Sequence, residues 1–176
     1  SQMDLQFQAA PEVDIEGGER WIDIELDSAA ALGRPAGVRI LVSHHDHQGM
    51  PHDLDALVRT LCATGADAIK IAALPRGCAD ALALLDLPRR CDRPAAVVGM
   101  GLAGVLTRVL ASACGSAWTY AAAAAGRETA PGQPTARELV ERYRARRLTA
   151  ATSVYGVVGD PVGPSVGPRV FNRLFA

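Results

Sequence analysis

Ala66-Asp67-Ala68-Ile69-Lys70-Ile71-Ala72 reads as a β-strand, Cys78 to Leu87 as a helix, and Ala95-Ala96-Val97-Val98-Gly99-Met100 as the next strand. This strand–helix–strand unit decides the fold. The same rhythm runs outward in both directions. Upstream, Trp21-Ile22-Asp23-Ile24-Glu25-Leu26 and Val38-Arg39-Ile40-Leu41-Val42-Ser43 alternate as strands, and Leu54, Leu57, Val58 and Leu61 share one face of a helix over Leu54 to Ala63. Downstream, a helix is expected over Gly104 to Ala113, a fifth strand over Ala117 to Ala121, and an amphipathic helix over Pro134 to Arg147. Thr135 is that helix's N-cap, and Glu138 three residues on completes a capping-box pattern. Strands and helices alternating every ~25 residues imply βαβ units and a parallel sheet, either open or closed into a barrel. In both arrangements the chemistry belongs at the C-terminal ends of the strands.

Composition narrows the class. The chain has 176 residues, 49% of them hydrophobic, enough for one cored domain or a little more. The 19 acidic and 18 basic side chains leave a net charge of −1, and basic residues do not cluster before Arg142 to Arg147, which argues against a nucleic-acid partner. Apolar runs are interrupted well short of the roughly 18 residues a membrane span requires, so no membrane partner is expected. Ser1-Gln2-Met3-Asp4 does not open a secretory signal, and a cytoplasmic location is the expectation. Cys62, Cys78, Cys91 and Cys114 form no CxxC pair and read as idle thiols.

Lys70 is the sole lysine beside 17 arginines. Abundant Ala, Arg, Gly and Pro fit a GC-biased coding sequence that replaces Lys by Arg wherever charge alone matters. The replacement fails where a primary amine must react, because a guanidinium stays protonated. In its strand, Lys70 shares a face with Ala68 and Ala72, leaving space around an amine walled by apolar groups, the setting of a Schiff-base nucleophile. All four histidines, His44, His45, His47 and His52, follow the preceding strand; His45 and His47 in H-x-H spacing, with Asp46 or Asp53, also allow a metal-dependent hydrolase. Gly99-Met100-Gly101-Leu102-Ala103-Gly104 has the G-x-G-x-x-G pattern but no acidic residue follows before Glu128, so it reads as a tight strand-to-helix turn and not a dinucleotide site. Arg108, one helical turn later, suits a carboxylate. Thr129-Ala130-Pro131-Gly132-Gln133 is a rigid loop with a hydroxyl and an amide for polar ligand groups.

In this order, Ile22-Asp23-Ile24-Glu25, Ser43-His44-His45-Asp46, Ala66 to Ala72, Met100-Gly101 through Arg108, and Ala130-Pro131-Gly132-Gln133 resemble type I 3-dehydroquinate dehydratase. The resemblance implies a (β/α)8 TIM barrel in which Lys70 forms an imine with 3-dehydroquinate and His45 moves the proton. It implies further that Arg108 grips the substrate carboxylate, Thr129 and Gln133 bind ring hydroxyls, Met100 lines the pocket, and neither metal nor cofactor takes part. Glu16-Gly17-Gly18 echoes a Glu-Gly-Gly motif of the family, making Glu16 a candidate substrate-site residue. Only five of the eight strands are legible, so residues 1–150 read as a barrel portion truncated at its N-terminus, which either dimerises or is an inactive remnant. Ser153 to Gly159 reads as a further strand, with a helix beginning near Arg169. Tyr155-Gly156-Val157-Val158-Gly159-Asp160-Pro161-Val162, with Ser165, Pro168 and Asn172, resembles the start of shikimate dehydrogenase. Residues 151–176 are therefore expected to open a second domain, with Ser165 a substrate contact.

Overall fold

The computed structural model describes residues 20–30, 34–157 and 165–175. The candidate Glu16 lies outside them. Four strands, β1 (Arg20–Glu25), β2 (Val38–Asp46), β3 (Ala68–Ala73) and β4 (Ala95–Gly99), form one parallel sheet in chain order. Helices α1 (Leu26–Ala29), α2 (Leu54–Ala63), α3 (Cys78–Asp86) and α4 (Gly101–Val109) alternate with them. No helix among the described residues is long and apolar enough to cross a membrane.

The alternation of side chains gives the sheet two different faces. Val42, Ile69, Ile71, Ala73, Ala95 and Val97 point to one side and pack with Val58 and Leu61 of α2 and Leu84 of α3 into the core. Burying Ile69, Ile71 or Leu61 contributes about 1.5–3 kcal/mol each. The register pairs Glu25 with Ser43, Ser43 with Lys70 and Lys70 with Ala96, so the opposite face carries polar and small groups. Parallel sheets normally cover both faces with apolar residues; a polar face places chemistry there.

Local signals explain the helix starts. The Asp53 side chain accepts from Ala56 N at 2.8 Å and caps α2, a contact of about 1 kcal/mol. The turn from β4 into α4 needs glycine: a Cβ on Gly104 would lie 2.2 Å from the carbonyl carbon of Gly99. The buried Thr107 hydroxyl secures that approach, accepting from Gly99 N and donating to Gly104 O, both at 2.7 Å.

Several expectations are corrected. Strand β2 runs on to Asp46, because β3 supplies partners for His44, His45 and Asp46. Leu26 leaves the strand and begins α1. The helix expected from Gly104 starts at Gly101 and ends at Val109, and a 3-10 turn at Ser112–Cys114 comes after it. Residues 117–121 are not a strand. Ala117 N reaches Ala95 O at 2.8 Å, but the Ser116 hydroxyl receives the Val97 N–H at 3.2 Å, so a side chain takes the next rung and the segment diverges. The capping box at Thr135 and Glu138 forms, yet the chain continues as a π-turn at Glu138–Arg142 and a 3-10 turn at Ala145–Arg147. Arg144 between them adopts φ 54°, which breaks a helix. Ser153–Val157 forms no strand, and residues 158–164 lie outside the described part. The final helix, α5 (Gly167–Leu174), begins earlier than its apolar pattern suggests.

Candidate active site

The polar face gathers its groups from three neighbouring strands. In β1, period-two alternation puts Trp21, Asp23 and Glu25 on it; Ser43 and His45 come from β2, and Lys70 from β3. Lys70 donates from Nζ to Asp23 Oδ2 at 2.9 Å and lies 4.9 Å from the centre of the Tyr120 ring. Its side chain is 12% exposed, so the amine is largely shielded yet paired. The other oxygen of Asp23, Oδ1, is buried without a hydrogen-bond partner. Burial pushes the Tyr120 phenol above its ordinary pKa, with the neighbouring Lys70 pulling in the opposite direction.

His45 sits near the C-terminal end of β2, paired with Ala72 of β3. Its Nδ1 is 2.7 Å from Glu25 Oε2, and its backbone N–H donates to Glu25 Oε1 at 2.9 Å. Ser43 Oγ donates to Oε2 at 3.2 Å. Burial pushes the Glu25 carboxyl up, but the hydrogen bonds and charge of His45 outweigh it and hold the group below its ordinary pKa. The His47 ring stacks on His45, with centroids 5.9 Å apart and planes 8° from parallel. Imidazole lone pairs lie in the ring plane, so parallel rings do not converge on one ion, and among the described residues no group of three His, Cys, Asp or Glu side chains is placed to hold a metal. The described residues therefore assemble no ligand set for the metal-hydrolase alternative.

Arg108 is buried at the end of α4. It donates to the Tyr120 carbonyl at 2.9 Å, its Nε has no partner, and burial alone lowers its pKa. Met100, the buried residue between β4 and α4, donates its backbone N–H to Ala73 O at 2.7 Å. The loop carrying Thr129 and Gln133 docks on this turn: Gly101 N donates to Pro131 O at 2.8 Å. Gln133 Oε1 accepts from both Thr129 N and Thr129 Oγ1, at 2.8 and 3.1 Å, so the two polar residues brace each other. Ser165 stands apart. Its hydroxyl accepts from Gly167 N at the start of α5, and among the described residues no hydrogen bond links it to the Lys70 face.

Sequence reading misses Asp23, Glu25 and Tyr120 as site groups. The alternation that identifies β1 already puts both acids on one face, which is the available signal; Tyr120 arrives through a segment whose pattern imitates a strand.

A parallel strand–helix fold with a shielded lysine and a tethered histidine on its inner face is that of an α/β-barrel enzyme. A sequence model of type I 3-dehydroquinase matches residues 7–150, and the chain belongs to that family. It is 34% identical over 169 residues to the chloroplastic bifunctional 3-dehydroquinate dehydratase/shikimate dehydrogenase of Arabidopsis thaliana, covering 92% of this chain and 28% of that protein. It is 37% identical over 120 residues to the 3-dehydroquinate dehydratase of Methanothrix thermoacetophila, covering 67% and 52% respectively. The 3-dehydroquinate dehydratase structure from Geobacillus kaustophilus superposes with a TM-score of 0.61 at 29% identity, over 68% of this chain and 51% of that one. The type I enzyme from Clostridium difficile, described with covalently modified comenic acid, gives 0.59 at 30% identity, over 70% and 54%. The chain thus spans about half the length of the single-function relatives and just over a quarter of the bifunctional one.

Proposed function

We propose that this chain dehydrates 3-dehydroquinate to 3-dehydroshikimate through an imine on Lys70. The observation that carries this reading is the pairing, on adjacent strands, of a shielded amine with an acid–base group: Lys70 on Asp23, and His45 on Glu25. The amine must release a proton before it attacks the ketone carbon, and Asp23 is the acceptor in contact with it. Loss of water from the resulting carbinolamine forms an iminium, which draws electrons from the adjacent carbon. His45 takes a proton from that carbon and returns it to the departing hydroxyl, so the elimination releases one water. Hydrolysis of the imine frees the product and restores Lys70.

Arg108 supports the choice of substrate. A buried guanidinium whose Nε lacks a partner suits a carboxylate, and Tyr120 links it to the Lys70 side of the face. Met100, Thr129 and Gln133 would line the ring, with Gln133 keeping its amide N–H groups for substrate hydroxyls. Glu16 and Ser165 remain proposed contacts of the dehydratase and dehydrogenase portions. We place the boundary between those portions near residue 150, where the family match ends. The working form would be a homodimer, with the exposed edges of the parallel sheet as the pairing surface.

The test is to incubate the protein with 3-dehydroquinate, reduce with borohydride, and map the adduct by mass spectrometry. A reduced adduct on Lys70, absent in Lys70→Arg, is the expected result. An unmodified chain that still turns the substrate over would reject the imine route.

A further inference from the structure

Tyr120 belongs to a segment that forms no strand, so neighbouring side chains hold its ring in place. Arg108, only 3% exposed, donates to the Tyr120 carbonyl at 2.9 Å. The Trp118 side chain hydrogen-bonds the Tyr120 hydroxyl. Trp118 in turn meets Trp21 of β1 edge to face, with centroids 6.2 Å apart and planes at 61°. Held this way, the Tyr120 ring presents its face to Lys70: Nζ lies 4.9 Å from the ring centre, with Asp23 Oδ2 at 2.9 Å from the same nitrogen. The negative face of an aromatic ring attracts a cation and does little for a neutral nitrogen.

That preference matters for an imine on Lys70. The protonated iminium draws electrons from the adjacent carbon, whereas the neutral imine is a much weaker sink. Asp23 takes a proton from the amine and returns it to the departing carbinolamine hydroxyl, so the iminium N–H then lies beside an ionised carboxylate. The second oxygen of that carboxylate, Oδ1, is buried without a hydrogen-bond partner. Passage of the iminium proton to Asp23 would leave the neutral imine and stall the removal of the carbon-bound proton.

We propose that Tyr120 is a catalytic residue whose ring face, set against Lys70 Nζ, holds the Schiff base in its iminium form while His45 moves the proton. This rests on the reading of Lys70 as the imine-forming amine. The hydroxyl is engaged by Trp118, so the role belongs to the ring.

The experiment traps the adduct formed with 3-dehydroquinate by two hydride donors. Cyanoborohydride reduces an iminium at neutral pH and spares a neutral imine; borohydride reduces both. Either one adds hydride to the imine carbon and leaves a secondary amine on Lys70, the only lysine in the chain, where peptide mass locates it. In Tyr120→Leu, kcat and the rate of cyanoborohydride trapping should each fall about tenfold, the size of a partly desolvated cation–π contact, while borohydride trapping changes less than about threefold. Tyr120→Phe keeps the face and should rescue both to within about threefold of the wild type. Fluorinated phenylalanines at position 120 keep the shape but drain charge from the ring face, so each added fluorine should slow cyanoborohydride trapping further. A stepwise fall supports the proposal. A flat series, with the adduct still forming, overturns it alone, whether or not Tyr120→Leu folds. A wild-type protein that forms no adduct with either donor rejects the imine reading, and this proposal with it.

Discussion

Replacing Gly132 by alanine should loosen the loop that carries Thr129 and Gln133 without touching the amine or the imidazole. Gly132 has φ +71°, a left-handed conformation that costs a side-chain-bearing residue about 1–2 kcal/mol. An added Cβ would also meet Gly101 O at 2.5 Å, roughly 1 Å inside ordinary contact. The neighbour is backbone at the start of α4 and is pinned, so the loop must lift instead. Lifting breaks the bond from Gly101 N to Pro131 O, worth about 1 kcal/mol. Undocking therefore caps the penalty, and the total comes to about 2–3 kcal/mol. For a chain of this size that lowers Tm by about 5–10 °C. Gly37→Ala is the control: its φ is +73° but nothing lies within 4 Å of the added carbon, so it should show the conformational cost alone. Calorimetry of the two variants isolates the docking contribution, and kinetics should show KM rising for Gly132→Ala only. Equal Tm losses in both variants, with KM unchanged, would refute the argument that the loop is held on the strand-to-helix turn.

Acidification should destabilise the protein. Asp67 is held below its ordinary pKa chiefly by the Ile40 backbone N–H, with Arg34 adding; Glu138 by the Thr135 backbone and hydroxyl; Glu25 by His45 against its burial. A carboxyl whose folded-state pKa is lowered contributes stability that is complete above its unfolded value and is lost as pH falls through the folded one. Tm should thus stay level from pH 7 to about 5 and drop below about pH 4, with Asp67→Asn flattening the drop. Alkylation should discriminate among the thiols. Burial pushes Cys91 up to about 11, its thiol donates to Leu87 O at 3.3 Å, and burial also raises Cys62, whereas Cys78 is exposed. Iodoacetamide at about pH 8 should modify Cys78 first and leave Cys91 last, as read by peptide mass.

Much of this arrangement is legible from residue order. The Ala66–Ala72 alternation yields β3 and the face of Lys70, because a two-residue period survives any tertiary context. His45 stands out for its place after a strand. Its partner does not, because Glu25 lies twenty positions earlier and only the register of β1 on β2 brings them together. The segment 117–121 misleads for a local reason: its alternation is strand-like, but the Ser116 hydroxyl occupies the hydrogen bond that would have continued the ladder. Over 134–147 the capping box is readable because it depends on four adjacent residues. The helix length is not, since Arg144 turns left-handed.

The two-sided character of β3 has a practical consequence for anyone redesigning the protein. Ile69 and Ile71 face the helices, whereas Ala68, Lys70 and Ala72 face the chemistry. Along six residues, robustness and reactivity are interleaved one by one, on opposite sides of the same backbone. A library confined to the odd-numbered positions would explore thermal tolerance with the nucleophile held constant. One confined to Ala68 and Ala72 would reshape the space around the amine while leaving the packed core in place.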